Sequence, residues 1–283
     1  MVDEHIATRA VALPAGPGDD IGRRDLEFVG TATVILRFAG FTILTDPNFL
    51  HQGEHAYLGM GLRSRRLTQP SRDETNLPPI DLVVLSHHHG DHFDRRAASG
   101  LDKALPIVTE PHAARKLQHQ GFTRTVALRT WESQVFEKGN VGLTITALPG
   151  KHAPRALAPV IPPVMGSLLD FHEGDRHLLR VYITGDTLMH DRLEEIPRRF
   201  PAIDLCLLHL GGTRILGVLL TMDAAQGVEL LQLVGPDVAV PIHFDDYPVF
   251  RSGIADFQRA AARGALRTEL RYVQRGETVS IGR

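Results

Sequence analysis

The chain has 283 residues, enough to bury the core of one large α/β domain or two small ones. Its 43% hydrophobic and 23% charged residues are ordinary for a globular protein, and a net charge of -2 gives no electrostatic case for nucleic acid. One cysteine, Cys206, excludes an intrachain disulfide and a cysteine-rich zinc site, and its apolar run Ile203-Asp-Leu-Cys-Leu-Leu208 makes it a buried small hydrophobe.

The opening Met1-Val-Asp-Glu-His5 is acidic and lacks the apolar segment of a secretory signal. Residues 1–24, with Pro14, Gly16, Pro17 and Gly18, read as an irregular arm before a single domain over 25–283. Short β-rich segments follow at Leu26–Val29, Thr33–Phe38 and Phe41–Leu44, the last two joined by a tight Ala39-Gly40 hairpin. From Asp46 to Pro79 the composition turns polar, which predicts a long excursion over the surface.

From residue 80 one theme repeats: an apolar strand ends in a residue able to bind metal. Ile80–Leu85 runs into Ser86-His87, and Val141–Leu148 runs through Pro149-Gly150 into Lys151-His152. Leu178–Thr184 runs into Gly185-Asp186, and Val238–Ile242 into His243. Such near-continuous apolar runs predict strands buried on both faces. Helices are predicted at Pro111–Gln120, Met189–Phe200, Asp223–Val234 and Val249–Leu266, giving one layered α/β domain. No apolar run is long enough to span a bilayer, so a cytoplasmic protein acting on a small molecule is the expectation.

The loop Leu85-Ser-His-His-His-Gly-Asp-His-Phe-Asp94 carries the strongest chemical signal. Alternate residues of an extended loop face the same way, so His87 and His89 can share an ion while His88 points away. Gly90 is read as permitting a sharp turn, beyond which Asp91 and His92 face a second ion. Imidazole with carboxylate suits zinc, with manganese and iron as alternatives. Two ions need further ligands, and His152, Asp186 and His243 stand at the ends of the other strands.

With that pattern assembled, the chain resembles the metallo-β-lactamase fold superfamily, whose signature is His-x-His-x-Asp-His after a buried strand. The resemblance covers about residues 25–283. It implies a four-layer αββα sandwich of two mixed sheets, with the ligands on one edge. It assigns His87, His89 and His152 to a first divalent ion, and Asp91, His92 and His243 to a second, with Asp186 bridging. The activity it implies is hydrolysis by a hydroxide shared between the ions, in which Asp91 and Asp186 act catalytically. Gly30-Thr-Ala-Thr-Val34 and Ile43-Leu-Thr-Asp-Pro47 resemble the branch holding N-acyl-phosphatidylethanolamine-hydrolysing phospholipase D and ascorbate-6-phosphate lactonase. Around Lys151-His-Ala-Pro-Arg155 the chain departs from the phospholipase, so the lipid substrate does not transfer. An ester-like bond in a lactone, carboxylic ester or phosphodiester is expected. Nuclease, iron-dependent redox and β-lactamase activities are the alternatives.

Other residues are read less sharply. Asp46 either accepts the free N–H of a ligand histidine or caps a turn before Pro47. Asp94 is expected to cap a helix. His209 could line the pocket, His190 could line it or cap the helix that begins there, and Lys151 and Arg155 read as solvated surface cations, with holding a substrate anion as the alternative. The apolar stretches 156–169 and 215–220 are read either as a wall or lid of the pocket or as ordinary core.

Overall fold

Side chains in the predicted strands alternate between two faces, and both faces are apolar. In Leu82–Val84 and the residue after it, Leu82 and Val84 enter one buried cluster, and Val83 and Leu85 another. Leu205–His209 divides the same way, with Leu205 and Leu207 on one side and Cys206 and Leu208 on the other. A strand that is apolar on both faces has to be covered on both, which requires layers above and below.

The computed structural model describes residues 10–16, 20–59, 61–154, 161–215 and 217–282. Among the described residues, a seven-stranded sheet runs in the order Thr278–Ser280, Arg24–Gly30, Thr33–Phe38, Phe41–Thr45, Leu82–Val84, Ile107–Thr109 and Thr125–Ala127. Its first four strands pair antiparallel and the rest parallel. An eight-stranded sheet faces it, ordered Val11–Ala12, Ser133–Lys138, Val141–Leu148, Gly166–Glu173, Arg176–Ile183, Leu205–His209, Val238–Ile242 and Glu269–Leu270. Between the sheets, Leu36, Phe38, Phe41 and Ile43 pack against Leu143, Ile145, Phe171 and Val181, and the rings of Phe38 and Phe171 lie 5.0 Å apart. The helices Arg95–Gly100 and Pro111–His119 cover the outer face of the first sheet through Ala97, Ala113 and Leu117. Ala224–Val234 and Ile254–Arg263 cover the second through Val228, Leu231 and Phe257. The expected four-layer sandwich is what the chain forms.

Local chemistry explains where the elements start and stop. Phe38 pairs with Phe41 across Ala39 and Gly40, whose φ values of 50° and 86° match the right-handed twist of a two-residue hairpin. The predicted helix Met189–Phe200 is shorter and split, a 3-10 turn at Asp191–Glu194 followed by Glu195–Arg199. Neither His190 nor Glu194 caps it with a side chain, and Pro197 offers no N–H. The last helix begins at Ile254 rather than Val249, because Gly253 N–H donates to Asp256 Oδ2 (3.1 Å) while Ser252 is still bridged to Gly211.

Two segments are more ordered than the sequence suggested. Within the predicted arm, Val11–Ala12 joins the edge of the second sheet and Leu13 is buried in the core. Gly166–Glu173 is a full strand, although the stretch 156–169 shows no strand period; its prolines precede the strand and blur its start. Cys206 is fully buried, and burial raises its thiol pKa, as expected of a structural hydrophobe.

Candidate metal centre

The parallel strands of both sheets release their chain at the same edge, where open α/β sheets collect functional groups. His87 follows Leu82–Val84, Asp186 follows Arg176–Ile183, and His243 directly follows Val238–Ile242. His152 follows Val141–Leu148 through a short loop whose Lys151 N–H donates to Thr187 Oγ1 (2.9 Å). All seven residues predicted as ligands converge there, in two adjoining groups: His87, His89 and His152; and Asp91, His92, Asp186 and His243.

In the first group, His87 Nε2 and His152 Nε2 approach His89 Nδ1 to 2.9 Å and 3.2 Å. The outer nitrogens are engaged elsewhere: His152 Nδ1 faces the Leu220 carbonyl (3.1 Å) and His87 Nδ1 faces Ser86 Oγ (3.0 Å). An Nδ1–H given to a carbonyl leaves the Nε2 lone pair turned inward. Burial, then the imidazoles of His92, His89 and His152, hold the His87 pKa well below the ordinary value. Burial and His152 bring His89 to about 3. Three imidazoles held neutral, with His87 Nε2, His89 Nδ1 and His152 Nε2 turned toward one another, make a natural cation socket.

The second group mixes charge. His92 Nε2 lies 3.2 Å from Asp186 Oδ2 and 4.0 Å from Asp91 Oδ2, and His243 Nε2 lies 3.6 Å from Asp91 Oδ2. His243 Nδ1 faces the Leu210 carbonyl at 3.2 Å, again freeing Nε2. Burial acts to lower the His92 pKa, but Asp186, Asp91 and Asp46 outweigh it and hold it well above the ordinary value. Burial acts to raise the Asp186 pKa, but His243 and His92 hold it well below the carboxylate range. Asp186 also acts electrostatically on His87, His89 and His152, so it sits between the groups. Asp91 Oδ1, His92 Nε2, Asp186 Oδ1 and His243 Nε2 are buried without a hydrogen-bond partner. Buried polar atoms are nearly always satisfied, so four orphans in one group fit metal coordination.

Behind the ligands, Asp46 Oδ1 accepts Ser86 N–H (2.7 Å), and its Oδ2 faces His92 Nδ1 at 3.2 Å and His209 Nε2 at 3.3 Å. Of the two roles read for Asp46, holding the N–H of a candidate ligand, here His92, is the one its geometry fits. Burial, which acts to raise its pKa, is outweighed by His92 and His209, and its carboxyl is held down to about 2. His209 does not line a pocket: it is fully buried, stacked on His92 with 6.0 Å between centroids, and bonded through Nδ1 to Thr184 Oγ1 (3.2 Å). Sequence reasoning missed Ser86, whose Oγ reaches both His87 Nδ1 and His92 Nδ1 (3.3 Å); its place beside His87 was the available signal.

Gly90 works differently from the sequence reading. Its φ is not positive; instead a Cβ there would lie 2.6 Å from Tyr57 N and 2.8 Å from Tyr57 O. The loop needs glycine because another backbone packs against it. His88 does point away, toward Gln120 Oε1 at 3.4 Å. Asp94 caps the helix Arg95–Gly100 through Arg96 N and Ala97 N, and also takes Leu50 N–H (2.7 Å).

Lys151 is exposed, His190 is partly buried with Nε2 unpartnered, and Arg155 lies outside the described residues, as do 156–160 and Leu216. Of the first apolar stretch, Ile161, Pro162 and Pro163 line a cleft, whereas Val164 and Met165 are buried. The second forms a small hairpin, Arg214–Ile215 with Val218–Leu219, and its Leu220 carbonyl holds His152.

Residues 42–244 match the family model described as "Beta-lactamase superfamily domain". A metal-dependent hydrolase of Anaeromyxobacter dehalogenans is 24% identical over 274 residues, covering 92% of this chain and 88% of that protein. The mitochondrial N-acyl-phosphatidylethanolamine-hydrolyzing phospholipase D of Saccharomyces cerevisiae is 30% identical over 167 residues, which are 58% of this chain and 34% of that protein. Among solved structures, the isothiocyanate hydrolase from Delia radicum gut bacteria aligns with a TM-score of 0.78 at 21% identity, covering 91% of this chain and 99% of its own. A possible metal-dependent hydrolase from Veillonella parvula aligns with a TM-score of 0.75, also at 21% identity and with 91% and 99% coverage. At these identities the two structures establish a shared fold.

Proposed function

The chain belongs to the β-lactamase superfamily and is a metal-dependent hydrolase, and we propose that it cleaves an ester-like bond of a small molecule at a centre holding two divalent ions. His87, His89 and His152 would hold one ion and Asp91, His92 and His243 the other, with Asp186, which lies between the two groups, available to both. Zinc suits this donor set best, with manganese and iron as the competitors. The observation that carries the reading is the set of four buried, partnerless atoms on Asp91, His92, Asp186 and His243 beside three facing imidazole nitrogens.

Bound divalent ions supply Lewis acidity, which lowers the pKa of water and polarises the bond under attack. The protein supplies position and proton transfer. Asp91 turns Oδ2 toward His92 and His243 and keeps Oδ1 free. That oxygen can orient the attacking water and accept its proton; burial acts to raise the Asp91 pKa, but His92 and His243 outweigh it and keep the carboxylate ionised for the task. The Nδ1 contacts of His152 with Leu220 and His243 with Leu210 fix both rings, so little reorganisation accompanies reaction. The overlap with the yeast phospholipase supports an ester-like bond.

The test is turnover by metal-depleted and metal-reloaded protein. Carboxylic esters, lactones, a phosphodiester and an isothiocyanate form the panel, with metal content measured in parallel. Ester, lactone or diester hydrolysis that is lost on chelation and restored by zinc or manganese is expected. Turnover confined to the isothiocyanate, or oxygen uptake at bound iron, would replace this reading.

A further inference from the structure

A cleft of about 1150 Å³ opens beside the first group of histidines, with His89 and Gly90 among its lining residues. That is roomy even against the roughly 300–1,000 Å³ usual for small-molecule sites. One wall is the helix Pro111–His119, which presents His112, Lys116 and His119 at i, i+4 and i+7, a single helical face. Another part of the lining is the hairpin His55–Tyr57 with Arg63–Arg65, which presents Tyr57 and its direct cross-strand partner Arg63. Gly90 N–H donates to Tyr57 O (2.9 Å), so this hairpin is anchored to the loop that carries the ligands.

The charges in the cleft do not cancel. Its two carboxylates are already engaged. Glu54 is ion-paired to Arg95 and to Arg96 (2.8 Å), and Asp94 accepts backbone N–H groups of Leu50, Arg96 and Ala97. Arg95 is thereby neutralised as well. Arg63 and Lys116 remain, both exposed and neither ion-paired nor side-chain hydrogen-bonded among the described residues. Burial, then Lys116 and Arg115, lower the His112 pKa, which is what uncompensated positive charge on that wall does to an imidazole.

We propose that this cleft seats the substrate, and that Arg63 and Lys116 hold an anionic group of it, a carboxylate or phosphate, remote from the bond that is hydrolysed. The inference rests on the reading of the seven-residue cluster as a hydrolytic centre. The pair is contributed by the polar excursion and the helix Pro111–His119.

The experiment uses metal-loaded protein and two p-nitrophenyl esters of equal chain length, one ending in a methyl group and one in a carboxylate. Wild type is expected to favour the carboxylate-ended ester about five- to tenfold in kcat/KM, mainly through KM, and to lose part of that preference in high salt. In R63Q/K116Q the ratio falls to near one, whereas Arg65→Gln, on the same hairpin but outside the cleft lining, keeps it. No preference in wild type, or a preference that survives in the double variant, overturns the inference. If neither ester is hydrolysed, the ester reading fails by itself, and calorimetric titration with hexyl phosphate decides the anion site. A Kd at least about fivefold weaker in R63Q/K116Q supports it, and an equal Kd overturns it.

Discussion

His209 Nε2 lies 3.3 Å from Asp46 Oδ2, and the same oxygen faces His92 Nδ1 at 3.2 Å. One buried carboxylate thus orients His92, a proposed ligand, and is itself held by a second histidine outside the proposed ligand set. Asn at position 46 has a single carbonyl oxygen for three N–H groups, because Ser86 N also needs it. Asp46→Asn should therefore weaken the ion bound by His92 about 10- to 100-fold. Competition with a chromophoric chelator measures this, and unchanged affinity of both ions would remove Asp46 from the support of the site.

Stoichiometry separates the roles of the ligands. His152 belongs to one group only, while Asp186 acts electrostatically on both. On the proposed two-ion centre, His152→Ala should lower the metal content from two ions per chain toward one. Asp186→Asn should lower it further and disturb both sites. Elemental analysis after dialysis reads the difference; one ion retained by D186N at wild-type affinity would show that Asp186 serves a single site.

Gly90→Ala tests the packing of the loop. The added Cβ would meet Tyr57 N at 2.6 Å and Tyr57 O at 2.8 Å, and both are backbone atoms that cannot rotate away. A loss of about 1–3 kcal/mol is expected, together with weaker metal binding, since His89 and Asp91 flank the glycine. Denaturant unfolding of metal-free and metal-loaded protein separates the two effects. Wild-type stability in both forms would mean that the hairpin simply shifts aside.

Several of these relationships were legible before any coordinates. Strand runs such as Leu82–Val84 are apolar on both faces, and that alone forces a layered sandwich. Chemistry placed at strand ends then falls on one edge, which is why His152, Asp186 and His243 could be paired with the loop. What was not legible depends on pairs distant in the chain. Arg66 sits in the stretch read as a surface excursion, yet it is fully buried against Asn48 and bonds Asp246 at 3.3 Å, 180 residues away. His209 needed Asp46, and Gly90 needed Tyr57. No local period encodes such contacts. The short helix Glu195–Arg199 was overextended for the opposite reason, because apolar spacing continues past the point where capping fails.

The last prediction concerns acid. Glu54 Oε2 accepts His51 N–H (2.7 Å) and faces Arg96 Nε (2.8 Å), tying the polar excursion to the helix after the metal loop. Burial acts to raise its pKa, but Arg96, the His51 amide and Arg95 outweigh it and hold the carboxyl at about 2, against 4.5 for a free group. A folded value below the unfolded one means that the unfolded chain binds the proton first as pH falls. The contribution is therefore complete above about 4.5 and is lost progressively as pH drops toward 2. With the side chain 24% exposed, solvent screening limits it to about 1 kcal/mol. Urea unfolding of wild type and Glu54→Gln should differ by that amount at pH 7 and 5, and the difference should shrink at pH 3. Comparing the two proteins at each pH cancels the release of metal in acid, which affects both alike. A gap that stays constant down to pH 3 would mean that the Glu54 side chain contributes through packing rather than charge.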